Sequence, residues 1–211
     1  MKPENSGKIY RFTMDHGLGY GFAEVYDFTD DRPFDGRYVF VYDRVEGAIR
    51  KDYDMADIRA SNMALGPITL YKFPNVKGIR SWKYLFQTSD FLITTRPNSK
   101  ELRGMHNKNN NWAELGDWYK APYNMQKMPE YVDYEKVRYL ETRILNGHSS
   151  AVMKFSMKKL LDEGQRVGEY YDLTDLGTKN MFVQLINTYY PLDKTIEFLK
   201  EIPGVKNFPI V

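Results

Sequence analysis

A 211-residue chain with a net charge of +2 and no cysteine excludes several classes at once. Without cysteine there are no disulfides, thiolate nucleophiles, thiolate zinc sites or cysteine-ligated clusters, and near-neutral charge gives no support to a broad nucleic-acid surface. The length suits one large domain or two small ones, and an apolar share of 42% is enough for a real core.

The N-terminal stretch MKPENSGKIYRF has a lysine but no apolar run of signal-peptide length. No window approaches the roughly 18 apolar residues of a membrane span. The expectation is a soluble, cytoplasmic protein without membrane contact. Seventeen tyrosines suit half-buried sheet faces and binding surfaces, because each ring has an apolar body and a wet tip.

The first third reads as strands. KIYRFTM places Tyr10, Phe12 and Met14 on one face at period two. The bend HGLGYG follows, then YGFAEVYDF, rich in aromatic and β-branched residues. Asp30 to Pro33 and Asp35-Gly36 mark turns, and RYVFVYDRV reads as a strand covered on both faces. DYDMADIRASNMA predicts a short helix capped by Asp52 or Asp54 and ended by Gly66-Pro67. PITLYKF, WKYLFQT and FLITTR read as further strands. Five or six short strands before residue 97 predict a strongly bent antiparallel sheet closed into a small barrel, since closure removes exposed edges.

Residues 97–130 read as a polar loop, with one short strand near Trp112 to Leu115. From residue 133 the period becomes helical. Asp133 would cap a helix with Tyr134, Val137, Leu140 and Ile144 as its stripe, stopped by Asn146-Gly147. Ser156 would cap MKKLLDE, stopped by Gly164. Thr178 would cap a helix with Met181, Phe182, Leu185, Ile186 and Tyr189 inward. After Pro191 a last helix turns Leu192, Ile196 and Leu199 inward and ends at Pro203-Gly204. The fold class is therefore α+β: a β-rich domain over 1–130, and a helical region over 131–211 packed on the sheet.

Several motifs bear on chemistry. Gly17, Gly19 and Gly21 are spaced G-x-G-x-G. A phosphate loop needs a helix after its glycines, so that N-terminal amides meet the anion. Here a strand follows, so the trio reads as a strand-to-strand bend. His16, His106 and His148 stand apart without metal spacing. The carboxylates Asp30-Asp31 and those from Glu46 to Asp57 could serve a hydrolase if two faced each other across a cleft. No cofactor, metal site or catalytic residue is expected.

Two stretches are candidate interfaces. Lys72 to Tyr84 includes Arg80 and Trp82, which could stack a base or sugar and hold phosphate; the plainer reading makes its aromatics core. NWAELGDWYKAPY crowds Trp112, Trp118, Tyr119 and Tyr123, residue types favoured at hot spots or as a lid.

Gly7-Lys8-Ile9-Tyr10, then Tyr20-Gly21-Phe22-Ala23-Glu24-Val25, then RYVFVYD resembles the opening of the immunity protein 26 family. That opening has a G-x-(I/V)-(F/Y) strand, a Y-G-(F/Y)-(G/A)-x-V bend and a third apolar strand. A W-K-x-hydrophobic stretch of the family has its counterpart either in Trp82 to Leu85 or in Trp112 to Gly116. The resemblance covers the first half of the chain. It implies a bacterial cytoplasmic protein that neutralises a cognate toxin by occlusion, without catalysis. The alternative is a small-barrel binding module for nucleic acid or a small ligand.

Overall fold

The computed structural model describes residues 7–27, 37–71, 74, 77, 80–88, 101–106, 117–122, 130–141 and 146–204. Apolar alternation in the first third forms β1 (Lys8–Thr13), β2 (Tyr20–Asp27) and β3 (Arg37–Glu46). They are joined by β4 (Met63–Leu70) and β5 (Trp82–Gln87). The order is β4-β3-β2-β1-β5, and every pair is antiparallel. The sheet is open and not the expected barrel: β4 and β5 lie at opposite edges. Layers cover its apolar faces instead of closure. The β4 edge is partly occupied by a parallel bridge from Leu70 to Asn146.

Away from the register shifts, residues alternate between the two faces, as the pleat requires. Tyr10, Phe12, Val39, Val41 and Trp82 face the helices and share one core with Phe155, Leu160, Phe182 and Leu185. The helical region thus packs on the sheet. Ile9, Phe22 and Tyr42 point the other way and meet Ile58, with Tyr53 and Met55 against them. Ile58 belongs to the short helix α1 (Met55–Arg59), which the Asp54 carboxylate caps by accepting from the Ala56 amide at 2.7 Å.

Three expectations along the chain are corrected. Gly66-Pro67 does not end a segment. It lies inside β4, in a cis peptide, where the register against β3 shifts. A bulge accommodates a proline that has no N–H to give the ladder. Residues 101–106 and 117–122, expected as loop, form β6 (Glu101–His106) and β7 (Asp117–Pro122), which pair with β8 (Glu130–Tyr131) as a second antiparallel sheet. Polar strands of this kind lack the alternation that marks a strand in sequence. The helix expected from Asp133 is a single 3-10 turn, Tyr134–Lys136. Asn146 is drawn to the β4 edge instead, donating its amide to the Thr69 carbonyl at 2.7 Å. Part of that segment, 142–145, lies outside the described residues.

The C-terminal helices are α2 (His148–Asp162), α3 (Leu176–Tyr189) and α4 (Leu192–Leu199). Gly164, at φ +72°, ends α2 as expected. Ser156 is not a cap but a buried mid-helix residue, and Asp175, not Thr178, caps α3 by accepting from the Thr178 amide. Leu199 points inward, whereas Leu192 and Ile196 are exposed. Thr195 takes the inner position, its hydroxyl bonding back to the Ile186 carbonyl at 3.0 Å. One ion pair is sealed inside: Lys154 of α2, 1% exposed, meets Glu141 at 2.9 Å. Glu141 also accepts from the Tyr189 hydroxyl, which in turn accepts from the Gly66 amide.

Candidate functional site

The glycine stretch is the tip of the β1–β2 hairpin. Thr13 pairs with Tyr20, and the Met14 amide donates to the Gly19 carbonyl at 2.9 Å. Asp15–Gly17 makes one 3-10 turn, with His16 in the left-handed region at φ 55°. A strand follows the glycines, so no helix N-terminus faces them. Gly17 (φ +71°) and Gly19 (φ +103°) allow the reversal. A methyl on Gly17 would meet open space, while one on Gly19 would lie 2.5 Å from the Glu46 carbonyl oxygen. Gly19→Ala is therefore expected to cost about 2–3 kcal/mol and Gly17→Ala about 1 kcal/mol. Thermal unfolding of the two variants checks the order; equal losses would contradict it.

Asp15 fastens this tip to the rest of the molecule. Its buried carboxylate accepts from Arg80 twice, at 2.7 and 2.9 Å, and from the Tyr171 hydroxyl at 2.7 Å. Its amide donates to Ser156 Oγ at 3.1 Å. Burial first, then the bond to Asp15, pushes the Tyr171 hydroxyl well above its usual range, so it remains a donor. The His16 ring stands edge-on to Tyr171 at 4.5 Å and to Tyr170 at 5.6 Å.

Around the tip opens a cleft of about 530 Å³. Thr13, Asp15, His16, Tyr20 and Arg80 line it, with the backbone of Gly17, Gly19 and Gly47. Asp15 neutralises Arg80, and the Asp15 oxygens are committed to structural donors. His16 is held by ring packing, with no described carboxylate to orient it. The cleft offers both polar and apolar surface, and among the described residues no paired base and orienter of proton-transfer chemistry face it.

The outer face of the sheet holds a denser polar network. Glu24 is 0% exposed in the middle of β2. Arg59 reaches it with Nη2 at 2.9 Å and Nε at 3.3 Å. The Tyr26 hydroxyl donates at 2.7 Å, and the Tyr42 hydroxyl makes a very short bond. Thr88 Oγ1 lies 3.1 Å from Glu24 and 3.0 Å from the Gly7 carbonyl, so its one proton serves either. Nearby, Arg44 Nη2 sits between Glu46 and Asp57 at 2.8 Å from each and holds Asp57 below the usual carboxylate range. A guanidinium separates these acids where a hydrolase would need a substrate. Asp30 and Asp31 lie outside the described residues.

The candidate interface residues separate. Trp82 is 0% exposed and stacks on Phe12 at 4.9 Å, so it serves the core and cannot stack on a ligand from this position. Arg80 lines the cleft but is tied to Asp15. Trp118 and Tyr119 lie in β7, opposite Met105 and Gly104, and not in a loop. Trp112 and Tyr123 fall outside the described residues. His106 ends β6 and His148 begins α2. No group of three or more His, Asp or Glu among the described residues could hold a metal, and no described helix is long and apolar enough to cross a membrane.

Sequence reasoning missed Arg11, Glu24, Ser156 and Tyr171. Arg11 and Glu24 did carry a signal: each is one charge inside an apolar strand run. Alternation alone sends such a residue to solvent, yet the outer face is covered. No family model, curated protein or solved structure matches the chain.

Proposed function

We propose that this chain is a bacterial cytoplasmic binding protein of the immunity type, which neutralises a cognate toxin by occlusion and without catalysis. The observation that carries the reading is the form of residues 7–27 and 37–46. The stretches on which the resemblance rests lie side by side as β1, the glycine bend, β2 and β3. Gly7, which opens the resemblance, packs so tightly that a methyl there would lie 2.5 Å from Glu24 Oε1. Asp15, the acid that lines the cleft, is paired with Arg80, which supports a binding use. Exposed tyrosines at 71, 84, 131, 139 and 170 supply the residue type that anchors protein interfaces.

Co-expression with the toxin encoded beside its gene tests the reading. Growth should be rescued; continued poisoning would contradict it.

The cleft favours a second reading, a binding module for a small ligand, because its volume and peptide edges suit one polar group. The nucleic-acid form of that reading loses its stacking residue with Trp82 enclosed.

A further inference from the structure

The outer face of the sheet carries a cation that the fold does not explain. Arg11 of β1 is 8% exposed. Its guanidinium lies over the Tyr20 ring at 5.0 Å and the Tyr53 ring at 5.8 Å. Among the described residues it makes one hydrogen bond, from Nη1 to the Tyr53 hydroxyl at 3.2 Å, and no ion pair. That hydroxyl also accepts from the Arg50 amide at 3.0 Å. Donors therefore outnumber acceptors: a guanidinium has five N–H groups, and the phenol proton is still to be placed. The buried carboxylates of this face are matched. Glu24 has Arg59, and Glu46 lies between Arg44 and Arg50.

A second observation comes from the neighbouring strand. Lys83 of β5 stands directly opposite Arg11 in the register, so both side chains leave the same face. Lys83 is exposed and has no ion pair among the described residues. Like charges directly opposite each other repel. A buried cation without a counter-ion is costly, and two aromatic faces offset only part of that. Tyr20 also lines the cleft at the hairpin tip, which gives this corner an approach from solvent.

We infer that Arg11, Lys83, Tyr20 and Tyr53 form an oxyanion-binding site. Its ligand is a carboxylate or phosphate group that takes two parallel N–H bonds from the Arg11 fork while Lys83 supplies charge from the next strand. The site is defined by this chemistry and stands apart from the toxin-binding reading, so either can fail alone.

Side-chain ¹⁵N resonances of Arg11 are followed while the full chain is titrated with inorganic phosphate in one arm and a capped hexaglutamate peptide in the other. A saturable shift with a Kd of about 1 mM or tighter is expected in at least one arm. Stronger phosphate binding assigns a free anion; stronger peptide binding assigns carboxylates of a protein segment. Arg11→Met should weaken binding at least about tenfold, and Lys83→Ala, a surface change that leaves the fold intact, about threefold. Arg11→Met should melt no lower than the parent, since an apolar side chain replaces an unpaired buried charge. No saturable shift in either arm, unchanged affinity in Arg11→Met, or a lower melting temperature for that variant would overturn the inference.

Discussion

Replacing Glu24 with alanine is expected to remove about 3–5 kcal/mol of stability, the largest effect of any single polar substitution in the sheet. The carboxylate is enclosed, and four side chains from separate parts of the chain converge on it: Arg59, Tyr26, Tyr42 and Thr88. Alanine takes the carboxylate away from Arg59 and from the Tyr26 and Tyr42 hydroxyls, and an unmet buried group costs more than the bond itself was worth. Burial first, then the Glu24 charge, raises the Tyr42 hydroxyl far above its usual range, and the burial remains in the variant. Glu24→Gln keeps an acceptor and should lose less. Urea unfolding of both variants checks the order; a loss under about 1 kcal/mol for alanine would contradict the network's role.

The second large effect lies on the opposite face, at Lys154 and Glu141. Lys154→Met alone is expected to cost about 3–5 kcal/mol, because it strands a carboxylate 2% exposed. The double variant Lys154→Met with Glu141→Gln should be more stable than Lys154→Met. Gln still accepts from the Tyr189 hydroxyl, and no charge remains to be buried. A double-mutant cycle measures this coupling directly. Additive losses would show that the two groups do not depend on each other.

Both networks explain where sequence reading succeeds and where it stops. Alternation of apolar residues correctly places Tyr10, Phe12 and Met14 on one face, because period two is a local property. Closure into a barrel is not local: it depends on whether β4 meets β5, and the helices decide that by covering one face. Asp133 illustrates the same limit. Its sequence favours a helix start, but its side chain makes no cap bond, and further along Glu141 and Asn146 are bonded to α2 and β4. The bend at Gly17 and Gly19 was legible from composition. The cleft around it was not, because it needs Arg80 and Gly47 from distant parts of the chain. Trp82 shows the converse: an aromatic beside basic residues reads as a binding surface, yet its ring completes the core.

The proposed mode of action is occupation of a partner's surface, and the most direct measurement is a titration. Activity of the purified cognate toxin is followed as this protein is added in rising amounts at concentrations well above the Kd. Activity should fall linearly to a break at about one equivalent and should return once the complex is separated under denaturing conditions and the toxin is refolded. Complete loss of toxin activity at a small fraction of an equivalent would mean turnover, and no inhibition at any ratio would mean no complex; either result would contradict occlusion.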